Sequence, residues 1–244
     1  MCVFYVKVAE VLFKIEANYV ETKQFFKEFL VEETYECEKI TVDKVEIREF
    51  IKQYRSFNMP MGERAIVKYK MDRILVKYDT FPVHASALSY KGNAYLFTAL
   101  SGVGKSTHAK LWKDSFGDDV VMINDDRPYI KIISGKVYAY SHPQSGKHNI
   151  YTNTASEICV ISKIVRDNKN YIKAISKGEF FPFMVQQTYT MDEIQITSKI
   201  IRMIKYVLYH VDVFEIHCNT DANSARIIRY QINEYKKSKK NKKI

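Results

Sequence analysis

β-Branched and aromatic residues dominate positions 3–8, and apolar and charged residues alternate over 11–17. Both patterns predict strands. Phe25, Phe26, Phe29 and Leu30 form an apolar stripe that predicts a short helix over 22–30, its face buried in a core. Helical spacing returns at 46–56 and 62–77, split by the breaker Asn58-Met59-Pro60-Met61-Gly62. Residues 1–80 therefore read as a small α+β region. They carry no catalytic motif, which leaves substrate recognition as a role for them.

The texture changes from residue 81. Apolar runs at 82–90 and 94–99 predict two strands around a tight turn, Lys91-Gly92-Asn93. A helix is expected over 105–116, and a short apolar strand at 120–123 ends in Asn124-Asp125-Asp126. A second hairpin follows, with strands at 129–133 and 137–140 about Ser134-Gly135-Lys136. Residues 140–150 form a polar loop. Strands near 158–165, 171–174 and 213–217 and helices near 192–209 and 221–236 complete the pattern. Hairpins mixed with helices predict an α/β fold whose sheet is mixed and partly antiparallel. The expected organisation is a small region at 1–80, a domain at 81–235 and a disordered basic tail at 236–244.

Composition narrows the function classes. The 244 residues are 46% hydrophobic and 27% charged, as in ordinary globular proteins. No run of 18 apolar residues predicts a membrane span. The first residues lack the pattern of a secretory signal, so a cytoplasmic location is expected. Cys2, Cys37, Cys159 and Cys218 are widely spaced, which favours free thiols over a metal site or disulfides. The net charge of +10 falls to +4 without the six lysines of the 236–243 segment. That excess is local, and no RNA-binding or zinc-finger motif accompanies it, so a nucleic-acid partner is not expected.

Chemistry concentrates in Ser101-Gly102-Val103-Gly104-Lys105-Ser106-Thr107. Between a strand and a helix, such glycines bring backbone N–H groups against phosphates. A lysine then reaches the β- and γ-phosphates and a hydroxyl holds the metal. Residues 101–107 are thus the expected binding residues for ATP, with Lys105 as the cation and Ser106 as a Mg²⁺ ligand. Ala99 replaces the usual first glycine, which requires φ < 0 there. The paired carboxylates Asp125 and Asp126 divide two tasks. One holds Mg²⁺, the other accepts a proton from an attacking hydroxyl. The expected assignment is Asp125 as base and Asp126 with Ser106 as metal ligands.

His84-Ala85-Ser86-Ala87, the 101–107 loop and Asn124-Asp125-Asp126-Arg127, in that order and spacing, resemble the catalytic domain of HPr kinase/phosphorylase. That family shares its nucleotide-binding core with ATP-dependent phosphoenolpyruvate carboxykinase. The resemblance spans 81–150 and, more loosely, 151–235, and it extends to small bacterial HPr kinase-like proteins. It implies a kinase acting on a hydroxyl, often serine, of a protein, peptide or small molecule. It gives His84 a place beside the phosphates or the carboxylate pair. Arg127 is expected to pair with an aspartate or with substrate phosphate. Lys147, in a mobile loop, is expected to close on the γ-phosphate. His148 and Asn149 are candidate substrate contacts. The family's later glycine-rich signature is not recognisable, so phosphorylase activity is not expected.

Three rival readings remain at this point. One is a nucleotide-binding regulator without transfer. Another is a carboxykinase-type enzyme, for which substrate arginines are lacking. The third is a lysine-driven nucleic-acid binder. A homo-oligomer is compatible with all of them. Gln186-Gln187-Thr188-Tyr189 and Cys218-Asn219 stand out as polar clusters without an assigned chemistry.

Overall fold

The computed structural model describes residues 1–146, 149–188 and 193–241. Strands β1 (Cys2–Val8) and β2 (Val11–Ala17) form an antiparallel hairpin. In β2 every second residue, from Val11 to Ala17, is buried, as the alternation predicts. Helix α1 (Val20–Phe25) is followed by a 3₁₀ turn at Lys27–Phe29 and then by β3 (Leu30–Val31). The helix expected over 22–30 is therefore broken at Phe26. Phe26 and Phe29 enter the core while Leu30 stays exposed. Strand β4 (Glu38–Thr41) closes the sheet in the order β3-β1-β2-β4.

Helices α2 (Lys44–Gln53) and α3 (Met59–Lys77) pack on this sheet. Helix α3 starts three residues before the predicted point. Asn58 caps it by accepting from Met61 N at 3.0 Å, and Pro60 lies in the first turn, where a missing N–H costs nothing. Glu63, fully buried, accepts from Asn18 N at 2.6 Å, Tyr19 N at 3.1 Å and Thr22 Oγ1 at 2.6 Å. Those bonds satisfy its charge and fix the start of α3 against β2 and α1.

The second sheet holds nine strands: β5 (Thr80–Pro82), β6 (Ala85–Tyr90), β7 (Asn93–Thr98), β8 (Val120–Asn124), β9 (Tyr129–Ile133), β10 (Lys136–Tyr140), β11 (Ala155–Arg166), β12 (Tyr171–Ala174) and β13 (Asp212–Cys218). The order β5-β9-β10-β11-β7-β6-β8 is extended by β13 beside β11 and by β12 beside β13. Only the pairs β7–β11 and β11–β13 are parallel; the remaining pairs are antiparallel. The mixed α/β class is as expected. One face is covered by α5 (Lys177–Gln187) and α6 (Ile194–His210), the other by α4 (Lys105–Phe116) and α7 (Ser224–Asn241).

Three details differ from the sequence pattern. The strand expected over 82–90 is interrupted, because Val83 N and His84 N bond Pro128 O and Gln187 O at 3.1 and 2.8 Å. Helix α5 was not predicted. Gly178 and Pro182 disguise it, but the capping box Ser176–Glu179 starts it. Residues 236–241 continue α7 and are not a disordered tail: Lys236 Nζ donates to Cys159 O at 3.2 Å and Lys239 pairs with Asp212.

The two sheets share their packing through α3. Tyr129 of β9 lies in the core of the first sheet, and Lys131 Nζ donates to Ala9 O. No described helix is long and apolar enough to cross a membrane.

Candidate functional site

The turn between β7 and α4 is built from Gly102 and Gly104, with φ of 79° and 120°. These values disfavour ordinary L side chains, and Val103 N donates to Leu100 O at 3.3 Å within the turn. Ala99 keeps a negative φ, so its methyl group packs into the core. Gly104 is the N-cap of α4, which places the positive end of the helix at the loop. Lys105 is almost fully buried, and its Nζ donates to Ala99 O at 3.3 Å. Burial pulls the Lys105 pKa down, while Asp126 and then Asp125 oppose that shift. Strand β6 pairs Ala85 with Thr98 of β7 and Ala87 with Asn124 of β8, so the glycine turn and the aspartate turn leave the same end of the sheet. Ser106 and Thr107 are exposed at the loop.

Asn124, at the end of β8 and fully buried, organises the carboxylates. Its Oδ1 accepts from Asp126 N at 2.9 Å and Arg127 N at 2.7 Å. Its Nδ2 donates to His142 O and Gln144 O, both at 2.9 Å. This one amide ties the aspartate turn to the polar loop after β10. Asp125 Oδ1 accepts from Ser86 Oγ at 2.6 Å. Asp126 Oδ1 lies 3.9 Å from His84 Nε2, and His84 Nδ1 is 3.2 Å from Gln187 Oε1. Burial and then Lys105 lower the His84 pKa, against the pull of Asp126 and Gln187. A cavity of about 300 Å³ opens beside them, lined by His84, Asp126, Arg127, Gln144, Gln186 and Gln187 among others. Asp125 does not line it.

The loop expected to be mobile is anchored over its first part. Ser141, His142 and Ser145 are buried, and Gly146 (φ 71°) lies so close to Asp126 that a Cβ there would meet Asp126 Cβ at 3.2 Å. Lys147 and His148 lie outside the described residues. Asn149 Oδ1 accepts from Ser145 Oγ at 2.8 Å and turns back into the loop.

Several site residues carry no signal in the sequence. From α3, Lys68 donates to Gln144 Oε1. Burial is the main cause lowering the Lys68 pKa. One turn on, Asp72 accepts from Tyr129 OH at 2.6 Å and sits 3.8 Å from buried His142 Nε2. Arg166, at the end of β11, donates Nε to Val103 O at 2.8 Å and Nη2 to Gly102 O, bracing the glycine turn. Gln186 and Gln187, singled out without a chemistry, prove to line the His84 cavity. A cavity of about 830 Å³ between β4, α3 and α6 contains none of the predicted site residues.

Two adjacent carboxylates and the Ser106 hydroxyl are hard oxygen donors. Such a set suits Mg²⁺, which binds through one or two carboxylates together with substrate phosphates. No group of three or more His, Cys, Asp or Glu ligands for an all-protein metal cage occurs among the described residues.

No protein-family model and no curated protein matches the chain. Among solved structures, the Hpr(Ser) kinase/phosphatase from Coxiella burnetii is similar over 66% of this chain and 94% of its own, at 11% identity and a TM-score of 0.39. At that level of likeness, the functional reading rests on the residues of this chain.

Proposed function

We propose that the protein transfers the γ-phosphoryl group of ATP to a hydroxyl, serine in the first instance, of a protein, peptide or small molecule. The observation that carries this reading is that the glycine turn and the Asp125–Asp126 turn leave the same end of the sheet, on the two sides of β6, where Ala85 pairs with Thr98 and Ala87 with Asn124. A phosphate cradle alone needs no carboxylates, whereas phosphoryl transfer needs a base and a metal site.

In this reading the backbone amides of residues 101–106 hold the phosphates and Lys105 offsets β/γ charge. Mg²⁺, held by Ser106 and an aspartate, supplies further charge neutralisation when bound. The geometry favours reversing the expected division between the aspartates. Asp126 lines the cavity open to an acceptor, so it takes the hydroxyl proton. Asp125, oriented by Ser86, is the better metal ligand. The acceptor oxygen forms its bond to the γ-phosphorus as the bond to the β–γ bridging oxygen breaks, and ADP leaves with that electron pair. Arg127 faces the same cavity as a charge partner for the transferred group. Lys147 remains a candidate for this role.

The test is transfer of labelled γ-phosphate to free serine and to serine-bearing proteins and peptides, with Lys105→Ala, Asp125→Asn and Asp126→Asn as controls. The expected result is labelled acceptor with the wild type and none with Lys105→Ala. Each Asn variant should retain ATP binding. Full activity in Lys105→Ala would overturn the proposal. ATP binding that never leads to transfer, in wild type as in both Asn variants, would make the protein a nucleotide-gated regulator.

A further inference from the structure

We propose that Cys159 and Lys236 form a modification site for hydroperoxides, at which the peroxide oxidises the Cys159 sulfur and Lys236 Nζ then closes a covalent S–N link between β11 and α7. The site starts from a break in the alternation of β11. Ile158 pairs with Ala94 of β7 and Val160 with Tyr95, so Cys159 is an extra residue without a partner in β7. Such a bulge re-aims side chains. Ile158 and Ile161 pack on the side of α5 and α6, whereas the consecutive residues Cys159 and Val160 both pack on the side of α7.

Lys236 Nζ donates to Cys159 O at 3.2 Å and lies 2.6 Å from Cys159 Sγ. An N–H···O bond spans about 2.7–3.2 Å and sulfur is the larger atom, so at 2.6 Å the nitrogen and sulfur are closer than hydrogen bonding alone requires. The helix presents Lys236 from a fixed turn: Ile232, one turn earlier, is fully buried, and the Tyr235 ring meets Phe214 edge-on at 4.8 Å. The Tyr95 hydroxyl also hydrogen-bonds Cys159, so two donors converge on one sulfur. The other three cysteines differ. Cys2 and Cys37 donate their thiol protons to the carbonyls of Tyr19 and Thr34, both at 3.6 Å. Burial pushes the Cys218 thiol up to about 11. Cys159 and Lys236 are only half-buried, which leaves the pair open to a molecule as small as hydrogen peroxide.

A thiolate is the nucleophile toward peroxide, and the sulfenic acid it forms condenses with a nearby nitrogen. Cys159 Sγ attacks one peroxide oxygen as the O–O bond breaks. The departing hydroxide takes a proton from the Lys236 ammonium and becomes water. The neutral Nζ then attacks the sulfenic sulfur. As the S–N bond forms the S–O bond breaks, and hydroxide leaves with that electron pair, taking a second proton from Nζ as water. From thiolate and ammonium, one hydrogen peroxide is consumed and two waters are released. The sulfur loses two electrons and the peroxide gains them. The link joins residues 77 apart in sequence, which constrains the unfolded chain. Neither residue lines the His84–Asp126 cavity, so the pair stands apart from the chemistry proposed above.

The test treats the folded full chain with hydrogen peroxide at neutral pH and maps the products by mass spectrometry after proteolysis without reductant. The peptide of Cys159 should be joined to that of Lys236, their combined mass reduced by two hydrogen atoms, and dithiothreitol should release them. Lys236→Arg keeps a donor for the bulge carbonyl but offers no amine, so it should form no link. In urea unfolding, peroxide should raise the midpoint of the wild type and leave that of Lys236→Arg where it was. A Cys159 that stays a thiol, or that becomes a sulfinic acid beside an unmodified Lys236, would overturn the assignment. A link that forms as readily in the urea-unfolded chain would overturn it too, because the folded geometry would then not be its cause. The products of the wild type decide by themselves, whether or not the variant folds.

Discussion

Ser86 Oγ donates to Asp125 Oδ1 at 2.6 Å, so strand β6 holds one of two adjacent carboxylates while the other, Asp126, lines the cavity beside His84. A hydrogen bond to a charged group is worth roughly 1.5–3 kcal/mol. Ser86→Ala should therefore slow phosphoryl transfer by about tenfold or more. ATP affinity, measured by calorimetry, should stay within about twofold, because the loop amides and Lys105 are untouched. An unchanged rate constant would show that Asp125 needs no orientation.

Asn124 satisfies four backbone groups with one side chain. In Asn124→Ala the buried carbonyl of His142 and the half-buried one of Gln144 lose that donor. We expect a loss of about 3 kcal/mol or more in denaturant unfolding. Asn124→Asp should be nearly as damaging, since a carboxylate cannot donate to those carbonyls. A stable Asn124→Ala protein would mean that the loop after β10 is held by other contacts.

Helix α3 reaches the site through Lys68 and Asp72. Lys68→Met keeps the bulk of the side chain and removes the donor to Gln144. Transfer should fall by about tenfold or more as Gln144, a wall of the His84–Asp126 cavity, loses its anchor. The loss should appear in the KM for acceptor before it appears in ATP affinity. If Lys68→Met alters only ATP affinity, the helix serves the nucleotide side instead.

Arg166 braces the glycine turn from β11. Because it is exposed, Arg166→Ala should cost little stability. A loosened loop should nevertheless weaken ATP binding by about tenfold. Equal affinity in the variant would make the contact ornamental.

Burial pushes the His108 imidazole down to about 4 from its ordinary 6.5, and burial lowers His142 as well. The unfolded chain takes up these protons near pH 6.5, whereas the folded chain resists until far lower. Unfolded protein thus binds more protons across that window, so stability falls as pH drops from about 6.5 towards 4 and levels off below. For His108 alone the loss amounts to about 3 kcal/mol. Urea unfolding at pH 7.5 and 4.5 measures it. A pH-independent midpoint across that range would contradict the buried, neutral histidines.

Much of the fold was legible locally. The alternation in β2, the glycines at 102 and 104 and the apolar strand before Asn124 are short-range patterns, and each produced the expected element. Misplaced boundaries have local physical causes too. Pro60 and Pro182 look like breaks, but a helix tolerates the first in its opening turn, and packing of Phe180 and Met184 holds α5 around the second. Only the tertiary structure decided which groups meet. Asp126 comes to lie by His84 and Lys105, Lys68 and Asp72 arrive from a region without motifs, and Arg166 reaches back to a turn some 60 residues earlier. Hydrogen-bonding partners so far apart leave no periodicity in the chain, because their proximity is set by how the sheet orders its strands and by which helix face each strand buries.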